Sequence, residues 1–323
     1  MKKIRTTLII CLFTTAICLM AGCGGRDEVQ LENELAYRQI GIQKLSEGSY
    51  QEAVDSFQKA LDQSVAVVEE LEVDICYYKA QAQYQGGDVE GAIETYTALI
   101  DYDKDNVKAL YLRGTAYLAQ GQTKEALADY QAAADREKKD GELHSHIAEN
   151  LIHAGMNQEA EPYLQAAVGQ DGEDAESLRE RGYAFYLMGD YDNARANLDK
   201  AITLEDEEAV FYLAKIEDAL GNSQRATQLY ETYISTHEGD TATLYELGMA
   251  RLKQGSYDQA LTFFQKALET ENPVNRQQLR RGEIIALEYL LDFGQARAKL
   301  ESYVADYPED AEAAREWEFL QSR

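Results

Sequence analysis

An all-α solenoid of about eight helix-turn-helix units, closed by a C-terminal helix, is the fold this sequence predicts, and three observations predict it. The first is repetition: GSYDQALTFFQKAL at residues 255–268 reads almost as GSYQEAVDSFQKAL at residues 48–61. Weaker copies start at Gly87, Gly121, Gly155, Gly189 and Gly221, and a degenerate one at Leu291, so the period is near 34 residues. The second is periodicity. Ala260, Leu261, Phe264, Ala267 and Leu268 recur at three and four, the spacing of one helical face, and Leu247, Met249, Ala250 and Leu252 do the same before the glycine. The third is the glycine between the two runs, a residue that ends a helix in the left-handed conformation at little cost.

Taken in order, the chain opens with a basic MKKIRTT, an apolar run LIICLFTTAICLM and then AGCGG. The run is short for a membrane span, and the order is that of an export signal. Ala21 and Gly22 leading into Cys23 resemble the lipobox of bacterial lipoproteins, with Met20 where leucine is commonest. The resemblance implies that residues 1–22 are a signal peptide and that Cys23 is acylated and becomes the new N-terminus. It also implies a location on the extracytoplasmic face of the cell membrane, or at the outer membrane in a host with two, which Gly24 after the cysteine permits. Multiple acyl chains make such an anchor durable, at about 0.8 kcal/mol per buried methylene. An uncleaved anchor or an ordinary secretory signal is the alternative. Residues 24–33 then read as a short linker of at most about 35 Å.

The units follow over residues 34–310. Five residues after each turn position stands an alanine: Ala53, Ala92, Ala126, Ala160, Ala194, Ala226, Ala260 and Ala296. Seven before it stand Gly41, Ala80, Gly114, Ala148, Gly182, Ala214 and Gly248, so two small residues let the paired helices approach closely. Four beyond the alanine comes a large filler: Phe57, Tyr96, Tyr130, Leu164, Leu198, Tyr230, Phe264 and Leu300. One unit cannot bury its own apolar face, but stacked units bury each other's. Pro162 falls inside an expected helix and is expected to kink it or shift its start. Leu291 in place of the turn glycine leaves the first helix of the eighth unit open. Residues 311–323, AEAAREWEFLQSR, read as a capping helix that covers the last unit with Trp317 and Leu320.

These residues resemble the tetratricopeptide repeat family, with units beginning near Glu34, Val73, Val107, Gly141, Ala175, Glu207, Thr241 and Gln277. The family's proline near the end of each unit appears only as Pro308. The resemblance implies a right-handed solenoid whose first helices line a concave groove for protein or peptide partners. It assigns that groove to Arg38, Tyr77, Gln81, Tyr84, Tyr111, Thr115, Glu142, Glu149, Arg179, Tyr183, Tyr186, Phe211, Lys215, Tyr245 and Met249. Tyrosine suits binding hot spots because it joins a rigid apolar face to a hydrogen-bonding tip, although the same rings also pack between helices. Paired lysine and asparagine for gripping chaperone tails are missing, Lys108 and Lys215 being isolated.

Charge and chemistry narrow the function. The formal charge of −27 becomes −30 once Lys2, Lys3 and Arg5 leave, which repels nucleic acid and steers in basic partners, or simply keeps an exported solenoid soluble. Cys11 and Cys18 leave with the signal, so Cys76 has no intramolecular disulfide partner and reads as a buried small hydrophobe. Glu142, His146, Glu149 and His153 share a helical stripe, but one straight helix rarely closes a metal site. Asp101, Asp103 and Asp105 imitate a calcium loop without its glycine or terminal glutamate. No nucleophile elbow, phosphate loop or zinc-protease motif occurs, so the sequence points to no enzyme and no cofactor. The expectation is a lipid-anchored extracytoplasmic scaffold that organises an envelope complex. A peptide-binding assembly or export factor is the alternative within binding proteins, and a metal-dependent envelope enzyme using the His146 stripe is the rival of another class.

Overall fold

The computed structural model describes residues 28–64, 68–237, 240–270, 273, 275–308 and 310–321. The signal peptide and Cys23 lie outside the described residues. Among the described residues the chain forms seventeen helices and no strand. The first helices of the eight units are α1 (Glu28–Ser46), α3 (Glu70–Gln85), α5 (Val107–Ala119), α7 (Gly141–His153), α9 (Ala175–Leu187), α11 (Glu208–Ala219), α13 (Thr241–Gln254) and α15 (Arg276–Tyr289). The second helices are α2 (Tyr50–Leu61), α4 (Val89–Tyr102), α6 (Thr123–Arg136), α8 (Asn157–Val168), α10 (Tyr191–Thr203), α12 (Ser223–Thr236), α14 (Tyr257–Leu268) and α16 (Phe293–Asp306), and α17 (Ala311–Gln321) follows them. Because α1 starts at Glu28, residues 28–33, expected as linker, extend the first helix instead.

Each turn glycine adopts the left-handed conformation, with φ between 73° and 85° at the seven positions from Gly48 to Gly255. Leu291 takes the same conformation at φ 62°, so α15 is complete although the glycine is missing. Between units, an acid or amide fixes the next helix start where the family would place proline. Asn106, Asp140, Asp174, Asp206 and Asp240 each accept the backbone N–H three residues on. Such a cap is worth about 1 kcal/mol and places negative charge at the positive helix end. Helix α8 begins at Asn157 and runs through Pro162, so the proline does not shift its start.

The eight fillers are all buried, and the small residues opposite them are needed where the rings meet backbone. A Cβ added to Gly41, Gly114, Gly182 or Gly248 would lie within 3.0 Å of Phe57, Tyr130, Leu198 or Phe264 respectively. Neighbouring first helices touch one another, as in α1 with α3, α7 with α9, α9 with α11 and α13 with α15. Second helices pack against the first helix of the following unit instead, as in α2 with α3, α4 with α5, α10 with α11 and α14 with α15. First helices therefore form the inner layer and second helices the outer one.

The curvature brings the last unit back to the first. The Gln278 amide donates to the Tyr50 hydroxyl at 2.8 Å, across 228 residues of chain, and Gly48 packs against Gln277 and Tyr307. The array thus closes through a small polar seam, whereas neighbouring units are joined by apolar clusters.

At the C-terminus α17 covers a cluster of Ile284, Leu300, Tyr303, Tyr307 and Ala313, with Trp317 packed against it and the Arg297 guanidinium 5.8 Å from its ring centre. The side chain of Leu320, expected to share this role, lies outside the described side chains. Arg281 donates to Glu316 at 2.5 Å, tying α17 to α15. Burial, then hydrogen bonding to the Glu316 carboxylate, pushes the Glu288 carboxyl up to about 8. Burial also opposes ionisation of Glu316, but hydrogen bonds from Glu288 and Arg281 outweigh it and hold Glu316 low. A carboxyl raised on folding stabilises fully below its unfolded value of 4.5, and that contribution is lost as pH rises through about 8. Trp317, the only tryptophan, reports the cap directly. Its emission in urea is expected to reach its midpoint at lower denaturant at about pH 9 than at about pH 6, and Glu288→Gln to remove the difference. Equal midpoints in the unmodified protein would show that the shared proton does not hold the cap.

Candidate functional site

The residues expected to line the groove sit on the inner helices, and the structure divides them into two groups. In the first, on α3, α5 and α7, hydrogen bonds lock the polar tips together. The Tyr77 hydroxyl donates to Asn106 Oδ1 at 2.6 Å, and the Lys108 ammonium lies 4.4 Å from the centre of the same ring. The Asn150 amide donates to Tyr111, Thr115 and Tyr130 hydroxyls at 3.1, 3.2 and 3.3 Å. Burial raises the Tyr111 phenol, and pushes that of Tyr130 up to about 12, so both stay neutral. Gln81 is exposed and Tyr84 is 36% exposed, leaving them at the surface of this group.

The second group, on α9 and α11, is an aromatic floor. Tyr183 stacks with Tyr186 at 6.1 Å and meets Tyr212 at 4.5 Å, while Phe211 lies 5.5 Å from Tyr212 and 5.9 Å from Tyr230. Tyr183 is only 4% exposed. Burial, then the neighbouring Glu149 carboxylate, drives its phenol far above the ordinary value. Burial likewise raises Tyr186 and Tyr212. Arg179 and then the carboxylates of Glu142, Glu208 and Glu149 act on Tyr212, and because Arg179 is paired with Asp206 and Glu208, the rim of the floor keeps an acidic excess.

The remaining expected residues are placed as follows. Arg38 pairs with Asp74 at 2.7 Å, and Arg179 pairs with Asp206 and Glu208 at 2.9 and 3.1 Å, so both arginines tie consecutive units together. Glu142 is exposed. Tyr245 packs 6.3 Å from Phe264, and Met249 is exposed beside it in the crevice at the seam. Residues outside the expected set join the site, chief among them Asn150 and Tyr212. Tyr212 occupies the sixth place of its unit, one of the outward places the repeat pattern names, so the same rule would have found it.

The other motifs resolve as packing or capping. His146 lies edge-on to Tyr183 at 6.3 Å, and among the described residues no three histidine, cysteine or carboxylate side chains come together as a metal site. Asp101 pairs with Lys104, Asp105 pairs with Arg136, and Asp103 accepts the Asp105 N–H, making an acidic turn before α5. Cys76 packs against an inter-unit cluster, and burial pushes its thiol up, away from the reactive thiolate.

Comparison with known proteins adds the family. Tetratricopeptide repeat models match residues 77–142 and 188–242, residues 117–179, and residues 241–272, together more than half of the chain. The chain is similar to DnaJ homolog subfamily C member 7 of Mus musculus, at 29% identity over 31% of this chain and 20% of that protein. It is similar to Superkiller complex protein 3 of Mus musculus, at 25% identity over 60% of this chain and 14% of that one. The match thus takes in a fifth or less of either relative's length. A tetratricopeptide repeat protein from Parabacteroides merdae aligns over 79% of this chain and 99% of its own, at 17% identity and a TM-score of 0.47. With its repeats matched over more than half of their length and stacked as helix-turn-helix units, the chain belongs to the tetratricopeptide repeat family.

Proposed function

We propose that the protein is a lipid-anchored extracytoplasmic scaffold that holds a basic protein partner on its concave face and so organises an envelope complex. Membership of the family supports the coarser part, a scaffold for protein–protein interaction. The observation that carries the choice of surface is the inner layer, where first helices gather tyrosines over an acidic rim while the outer helices repeat the packing pattern. Aromatic faces supply apolar contact with little loss of rotamer freedom, and the carboxylates select a cationic partner. The anchor rests on the AGC motif ending at Cys23.

One experiment separates the two parts. The full chain is produced in a bacterial host with labelled palmitate, and its neighbours are crosslinked in the cell. Wild type is expected to carry label and fractionate with membranes, and Cys23→Ser to lose both. Gln81→Ala with Tyr84→Ala is expected to weaken the crosslink to a defined partner at least tenfold, with helical circular dichroism unchanged. Label on Cys23→Ser would overturn the anchor; an unchanged crosslink in the groove variant would move the binding surface elsewhere.

A further inference from the structure

We propose that Tyr183, Phe211 and Tyr212 form a box for a cationic side chain of the partner, and that Lys215 occupies this box until the partner arrives. The proposal rests on the reading of the concave face as the partner-binding surface and names the chemistry that surface takes. The Lys215 ammonium lies 5.3 Å from the centre of the Phe211 ring, 5.7 Å from Tyr183 and 6.0 Å from Tyr212. A cation within about 6 Å of an aromatic face is attracted by the ring quadrupole, and three faces around one ammonium add their effects.

What distinguishes Lys215 is how it is held. On the first helices Arg38, Arg113, Arg251 and Arg280 also sit over aromatic rings, but each is fixed by a carboxylate at 3.0 Å or less. Among the described residues Lys215 enters no ion pair, and Lys108, which shares that property, touches a single ring. Lysine carries four flexible methylenes and three equivalent donors, so it can leave the rings for water without breaking a fixed geometry. The arginines cannot. Lys215 is therefore the releasable cation of the inner layer.

The surroundings choose the replacement. Glu142 and Glu149 act on the Tyr212 phenol beside Arg179, whose own charge is met by Asp206 and Glu208, so an arriving lysine or arginine meets carboxylates at the rim and ring faces at the floor. An acidic segment would bring its carboxylates against both. The exchange is cation for cation, and the displaced ammonium of Lys215 becomes available to the same rim. A resident side chain lowers apparent affinity by the fraction of time it fills the site, so its removal must tighten binding. That sign is opposite to the one expected if Lys215 itself contacted an acidic partner.

The test uses fluorescein-labelled octalysine as probe and fluorescence anisotropy at physiological salt, with helicity checked for every variant. Lys200→Ala, an exposed site on the outer helix α10, is the control for an equal change of net charge. Lys215→Ala is expected to bind the probe about three- to fivefold more tightly than Lys200→Ala, and Lys215→Arg, which stacks on the rings more firmly, to bind it no more tightly than wild type. Adding Tyr212→Leu to Lys215→Ala is expected to abolish the gain. Equal affinity of the two alanine variants, or weaker binding by Lys215→Ala, overturns the box. Glu142→Gln with Glu149→Gln separates the two readings. Binding that falls in this pair but ignores Lys215 leaves the concave face as the binding surface and removes the box. Binding indifferent to all these changes removes both.

Discussion

Phe264→Ala is expected to cost about 3–5 kcal/mol, the upper range for truncating a buried aromatic side chain. Phe264 is fully buried on α14, and its ring stands against two backbones at once: a Cβ on Gly248 of the same unit, or on Gly282 of the next, would lie within 3.0 Å of it. Deleting the ring opens a void bordered by α13, α14 and α15. Leu244, Leu247 and Leu279 belong to the same cluster, and such packed surroundings relax only partly into a void. In an array each unit is stabilised by its neighbours, so the loss is expected to spread to the eighth unit and its cap before it reaches the first. Urea unfolding followed by circular dichroism should show an early phase, and Trp317 emission should change within that phase. Phe293→Ala, at an exposed phenylalanine of the same region, supplies the comparison and is expected to change stability by less than about 0.5 kcal/mol. A cost below about 1 kcal/mol for Phe264→Ala would mean that the joint between units seven and eight is not held by this plug.

The plug was legible in the sequence because it is written eight times. A filler four residues beyond an alanine is weak evidence once, and strong evidence at a repeat near 34, and all eight fillers are buried. Helix ends were half legible: the turn glycines stood out, but nothing in the repeat pattern marked Asn106, Asp140, Asp174, Asp206 and Asp240 as the caps of the next helix. Leu291 shows the limit of a residue rule, since stacking between neighbours imposes a left-handed turn on a side chain that resists it by about 1–2 kcal/mol. The seam of Tyr50 and Gln278 lay beyond reading, because it depends on small rotations accumulated over eight units. Depth within the concave face was hidden for a related reason. Position placed Tyr183 on the inner layer, but its burial comes from Tyr212 and Lys215 of the following unit, and no local pattern encodes that cover.

Arg251→Ala is expected to cost about as much as the loss of Phe264, for an electrostatic reason. The Arg251 side chain is 1% exposed, and its guanidinium donates to Asp218 at 3.0 Å and to Thr227 at 3.3 Å, with the Tyr230 ring centre 5.6 Å away. Asp218 is itself nearly buried at the end of α11, so removing the arginine strands a carboxylate where water cannot solvate it. Breaking one side of such a pair costs about 3–5 kcal/mol, whereas replacing both partners by groups of similar shape is often close to neutral. Arg251→Met with Asp218→Leu is therefore expected to recover most of the stability that Arg251→Ala loses, as read from urea midpoints. Comparing the double variant with Arg251→Met alone decides between two origins of the effect. Recovery assigns the cost to the stranded charge and makes the pair a device that fixes how the sixth and seventh units register. If the double variant is as unstable as the single one, the arginine acts through the stem and the face it lays over Tyr230, and Asp218 is incidental.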